Sequence, residues 1–124
     1  MAVADLAAAA ARWRPVAGAP DGPPEEVPGQ GVRVAFLSSG SVEVELLAAT
    51  RADSPVGRFV ARRGEGLHHL AFRVPSVDAA LASVARSGGE VVDRVGRPGA
   101  RGRRGGFAHP CAFAGVLVEF VEVR

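Results

Sequence analysis

The sequence predicts an α+β protein made of two βαβββ modules whose strands form a cupped, mixed sheet. Three observations lead there: short apolar runs with period two, three segments with helical period, and an internal repeat. In the repeat, Val3-Ala4-Asp5-Leu6-Ala7-Ala8-Ala9 lines up with Val74-Pro75-Ser76-Val77-Asp78-Ala79-Ala80, each a strand end entering a helix cap. Ser41-Val42-Glu43-Val44-Glu45-Leu46 lines up with Gly115-Val116-Leu117-Val118-Glu119-Phe120, and the spacing inside the two copies nearly agrees. A single domain over residues 1–124 is expected, with module 1 at about 1–63 and module 2 at about 64–124. The first strand of module 1 is absent, because the counterpart of residues 67–73 would lie before Met1.

The elements follow in order. Residues 5–14 read as a helix capped by Asp5, with Leu6, Ala9, Ala10 and Trp13 on one face and Pro15 as its stop. Four prolines make residues 18–31 an extended surface loop. Residues 32–37 and 41–48 form a hairpin about Ser38-Ser39-Gly40. A helix over 55–63 has Ser54 as cap, Pro55 in its first turn and Gly64 beyond its end. Residues 67–74 are a strand, and 77–86 a helix capped by Ser76, with Val77, Ala80, Leu81 and Val84 inward and Gly88-Gly89 as the stop. Strands near 90–95, 105–109 and 115–123 complete the second copy, with a solvated, mobile Arg-Gly loop over 96–106.

Composition narrows the function. With 124 residues and 48% apolar content the chain can bury a core. No apolar run approaches the roughly 20 residues of a membrane span. The Ala-rich start is broken by Asp5 and has no basic residue before it, so a secretory leader is not expected and the cytoplasm is. The single Cys111 excludes an internal disulfide and any CxxC motif; inert packing is its expected role. All 15 basic residues are Arg, and Lys, Ile, Asn and Tyr are missing, the pattern of a G+C-rich coding sequence. The net charge of +2 therefore gives no reason to expect a nucleic-acid partner.

Strand alternation selects candidate site residues, since successive side chains point to opposite faces. Val42, Val44 and Leu46 leave Glu45 on the other face. Leu70, Phe72 and Val74 leave His69, and Val116, Val118 and Phe120 leave Glu119. If the sheet curls, one imidazole and two carboxylates converge, a donor set suited to Mn, Co, Fe, Ni or Zn. The plainer reading of Glu45 is a solvated strand residue. Glu119, amid Val-Leu-Val-Glu-Phe-Val, needs a partner if buried. His68 points away from His69 and fits a structural or supporting role. His109 fits a turn or a substrate contact. Arg97, Arg101, Arg103 and Arg104 could grip a phosphate or carboxylate, or simply be solvated.

Gly64-Glu65-Gly66-Leu67-His68-His69-Leu70-Ala71-Phe72 resembles the vicinal oxygen chelate superfamily, and within it the methylmalonyl-CoA epimerases. The likeness continues through Val27-Pro28-Gly29-Gln30-Gly31-Val32, Val44-Glu45-Leu46-Leu47, Asp53-Ser54-Pro55, Val77-Asp78-Ala79-Ala80, Phe107-Ala108-His109-Pro110 and Gly115-Val116-Leu117-Val118-Glu119. The resemblance implies Glu45, His69 and Glu119 as ligands of a divalent ion, cobalt or manganese foremost, with nickel or zinc as alternatives. It also implies a small acyl-CoA substrate, a homodimer and interconversion of the C2 epimers of methylmalonyl-CoA through an enolate. Glu119 is the first candidate acid/base. Competing readings are a non-catalytic small-molecule-binding module and a glyoxalase-like enzyme of the same fold. The sequence departs from the family in lacking the opening strand with its histidine ligand; either the start is assigned too late and an upstream reading frame supplies it, or the protein is short and degenerate, inactive through truncation, or borrows a strand from a partner chain. It departs again at Ala48-Ala49-Thr50, where Glu-Pro-Thr is common, and at Arg104-Gly105-Gly106-Phe107, which replaces a more apolar approach to the His-Pro pair.

Overall fold

The computed structural model describes residues 1–122, so Val123, the last residue of the expected final strand, and Arg124 lie outside the described residues. Two compact units, Met1–His68 and His69–Arg124, each carry a four-stranded mixed sheet.

In the first unit, β1 (Ala2–Val3) leads through the Asp5 cap into α1 (Leu6–Ala17). The Asp5 carboxylate accepts the Ala8 amide at 2.9 Å, satisfying one of the helix's unpaired N–H groups. Pro15 does not stop this helix. It sits in the last turn, where its ring removes one hydrogen bond, and the end comes at Gly18, which has a positive φ of 73° and donates to the Arg14 carbonyl. β2 (Glu25–Val27) lies inside the segment expected to be loop, and β3 (Val32–Ser39) and β4 (Val42–Ala49) form the expected hairpin. The sheet order is β1-β4-β3-β2, with β1 parallel to β4 and the other pairs antiparallel. Of the opening strand the chain carries a two-residue end, Ala2 and Val3, which pair with Leu47 and Ala48. Nothing in the spacing of two residues identifies a strand; their pairing with β4 makes it one.

The predicted α1 face is the observed one. Ala9 and Ala17 are buried in a cluster with Val3, Ala35, Leu37 and Leu46, and Leu6, Ala10 and Trp13 pack against it. On the opposite face of the hairpin, Val32, Val34, Phe36 and Leu47 are buried as well, so Glu45 does not stand on an open, solvated sheet surface. α2 (Pro55–Arg63) has the expected bounds. Its cap, Ser54, is wholly buried and satisfied at both ends, donating to the Arg51 carbonyl at 2.8 Å and accepting the Gly57 amide at 3.1 Å. A Cβ on Gly57 would meet the Ala52 carbonyl oxygen at 2.6 Å, which explains a glycine inside this helix. The unit extends to His68 rather than ending near residue 63, because Gly66 exchanges two backbone hydrogen bonds with Ala2.

The second unit repeats the plan. β5 (Leu70–Arg73), α3 (Val77–Arg86), β6 (Arg97–Pro98), β7 (Arg104–Ala108) and β8 (Val118–Glu122) give the sheet order β5-β8-β7-β6. β5 is parallel to β8, as β1 is to β4. The register makes the repeat concrete: Glu45 pairs with Phe36, and Glu119 pairs with Phe107. Val77 and Leu81 of α3 are buried as predicted, and Gly106 lets the helix approach, since a Cβ there would lie 2.8 Å from Leu81.

Three expectations fail here. Residues 90–95 form only an isolated bridge, Val91 to Ala108. The Val92 and Asp93 amides both turn to the Phe107 carbonyl, and the Asp93 carboxylate takes the Phe107 amide at 2.9 Å, so a side chain replaces the ladder. The Arg-Gly loop is not merely solvated: β6 pairs with β7, Arg97 meets Asp93 at 3.0 Å, and Arg104 bridges Asp78 at 2.8 Å and Glu122 at 3.4 Å. The Gly96 amide and Arg104 hold the Asp78 carboxyl below its ordinary pKa. Finally, Leu70 and Phe72 are 43% and 52% exposed, because α3 packs chiefly over β7 and β8 and leaves the edge strand's apolar side bare.

Candidate functional site

The second unit brings two of the predicted residues together. His69 immediately precedes β5 and lies on the side of Ala71, whose partner across the parallel pair is Glu119. That diagonal sets His69 Nε2 3.0 Å from Glu119 Oε2, with side chains only 6% and 15% exposed. A carboxylate so buried requires such a partner. Phe107, opposite Glu119 on β7, places its ring edge-on to the His69 imidazole at 5.3 Å and restricts how it can turn.

Glu119 also needs space. A Cβ on Gly105 would stand 2.6 Å from Glu119 Oε1, so the absent side chain accommodates this carboxylate oxygen. Gly105 and Phe107 were not singled out from the sequence. The alternation of β7 relative to Glu119 was the available signal, but it becomes informative only once the register is known. Gly105→Ala is expected to lower kcat/KM about 10²-fold for any reaction that uses the Glu119 carboxylate, by displacing that group roughly an ångström. Thermal unfolding should fall modestly, because moving the buried carboxylate off its His69 partner outweighs the small gain from alanine's fewer unfolded conformations. Full activity in this variant would show that the Gly105 gap is not used.

In the first unit, Glu45 holds the position equivalent to Glu119 on β4 and is partly buried beside Phe36. The Met1 ammonium donates to the Glu45 carbonyl oxygen at 2.7 Å; burial pushes its pKa down, against the pull of the Glu45 charge. His68 packs edge-on against Phe59 at 5.0 Å, in keeping with a structural role. Arg97 and Arg104 are engaged by acidic neighbours, as described above. His109 is a turn residue whose Nδ1 accepts the Cys111 amide at 3.1 Å. Cys111 is exposed and is not packing, since the turn that His109 caps carries it outward.

Two mixed β-sheets of matching register, one carrying a buried histidine–glutamate pair, define a class. Residues 1–107 match the Glyoxalase/Bleomycin resistance protein/Dioxygenase superfamily, and the chain belongs to it. It is 40% identical to the uncharacterized protein YqjC of Bacillus subtilis, over 81% of this chain and 71% of that one. It is 36% identical to the ethylmalonyl-CoA/methylmalonyl-CoA epimerase of Cereibacter sphaeroides, over 99% of this chain and 93% of that enzyme. Among solved structures it matches a Streptomyces coelicolor methylmalonyl-CoA epimerase variant in complex with 2-nitronate-propionyl-CoA. That match has a TM-score of 0.90 and 36% identity, and covers 97% of this chain and 88% of the other.

Proposed function

We propose that this protein interconverts the C2 epimers of methylmalonyl-CoA. The observation that carries the reading is the His69–Glu119 pair, 3.0 Å apart and largely shielded from water, in a chain similar along nearly its whole length to an enzyme of that name. The donor chemistry of the pair, an imidazole and a carboxylate, fits a divalent cobalt or manganese ion, with nickel and zinc as alternatives. When bound, such an ion supplies a Lewis acid for the negative charge that develops on the thioester oxygen as C2 loses its proton.

The chain's own residues do the rest. His69, braced by Phe107, presents Nε2 as a ligand, and Glu119 turns Oε2 toward the same point. Glu119 Oε1, over the Gly105 gap, is the atom assigned to exchange the C2 proton on one face of the planar enolate, and inversion at C2 calls for a second acid/base on the opposite face. The acyl-CoA ester is the small-molecule partner, the assigned compartment is the cytoplasm, and a homodimer accords with the open edge and bare apolar side of β5. Among the described residues no helix is long and apolar enough to cross a membrane.

The test is deuterium uptake at C2 of methylmalonyl-CoA in heavy water, with the protein reconstituted in cobalt or manganese. Time-dependent exchange by the loaded protein is the expected result. Exchange no faster than in protein-free solution containing the same metal would defeat the reading.

A further inference from the structure

We infer that Glu90, His109 and Cys111 form a second cation site, one with a thiolate, suited to a borderline divalent ion such as zinc. One ligand atom of each residue lies within 4.8 Å of the others. Ligand atoms about a tetrahedral zinc stand roughly 3.4–3.8 Å apart, given bonds of about 2.0–2.3 Å, so a contraction near 1 Å in surface side chains assembles the site.

The backbone beneath it is already set. Val91 bridges to Ala108, and the His109 amide donates to the Glu90 carbonyl at 3.0 Å, which ties the two contributing segments together. Pro110 and the short 3-10 turn that it begins, Pro110–Phe113, direct Cys111 back toward Glu90. The Cys111 thiol now donates to Glu90 Oε2 at 3.5 Å, the arrangement in which an ion would replace one proton between sulfur and carboxylate. A cation binding sulfur displaces the thiol proton, so uptake releases a proton and tightens as pH rises. His109 joins by exchanging the amide contact at Nδ1 for the ion, in an exposed turn where water can satisfy the released N–H. A mixed sulfur, nitrogen and oxygen set with one open position selects zinc or cobalt over magnesium or calcium.

Cobalt(II) separates this site from the one assigned to epimerisation, because only a thiolate produces a sulfur-to-cobalt charge-transfer band in the near ultraviolet. Titrating the reduced full chain with cobalt should raise such a band, saturating with the intensity of one thiolate-bound cobalt per chain and displaceable by zinc. The band should vanish in Cys111→Ser, while C2 exchange is retained, and should persist in His69→Ala. Glu90→Gln and His109→Asn, the latter keeping a cap acceptor in the turn, should each weaken cobalt affinity at least about tenfold. Absence of the band in the native chain would overturn the inference, and so would a band whose affinity is unchanged in both of these variants.

Discussion

Replacing Glu119 by glutamine should leave the fold intact and slow C2 proton exchange by about 10²–10⁴-fold, the range associated with loss of a positioned acid/base. Glutamine has nearly the same shape, so the contact with His69 and the fit over Gly105 can survive. What disappears is the negative charge, and with it both the proton acceptor and an anionic ligand. Deuterium uptake in metal-loaded Glu119→Gln measures the first loss, and cobalt or manganese affinity the second. An unchanged exchange rate would remove Glu119 from proton transfer. Weakened metal binding with an exchange rate restored by excess metal would reduce it to a ligand.

Leu46→Ala should be the most damaging single change to stability. Leu46 is fully buried between β4 and α1, in the cluster with Val3, Ala9, Ala17, Ala35 and Leu37. Truncation removes apolar burial and leaves a cavity that small neighbours cannot fill, at a cost of about 2–5 kcal/mol. Against a total of roughly 5–15 kcal/mol for a domain of this kind, that is a large share. Thermal unfolding should fall by roughly 10–20 °C. Leu46 faces α1 whereas its neighbour Glu45 faces the other way, so exchange activity per folded molecule should change far less than stability. A melting temperature equal to that of the parent would mean that α1 does not seal this face.

The features legible in the sequence are those that depend on neighbours along the chain. Asp5, Ser54 and Ser76 cap helices because each side chain reaches an amide three residues on, and Gly64 ends α2 because its positive φ is open to glycine. Alternation alone placed Glu45 opposite Leu46 and Glu119 opposite Val118. The repeat foretold their equivalent stations, now seen as matching pairs with Phe36 and Phe107.

Tertiary structure decided what depends on a partner distant in sequence. Glu25–Val27 and Arg97–Pro98 are strands only because β3 and β7 offer free edges, and residues 90–95 fail as a strand because Asp93 takes the amide of Phe107. Leu70 and Phe72 have a buried strand's alternation yet stay exposed, since periodicity specifies a face and not what covers it. The gap at Gly105, the ring bracing His69, and the meeting of Glu90 with His109 and Cys111 likewise came from pairing register. The sequence by itself therefore determined the helices, the β3–β4 hairpin, the facing of their side chains and the candidate chemistry. The tertiary structure decided neighbours and shielding, because pairing of distant segments is a property of the whole folded chain and has no local signature.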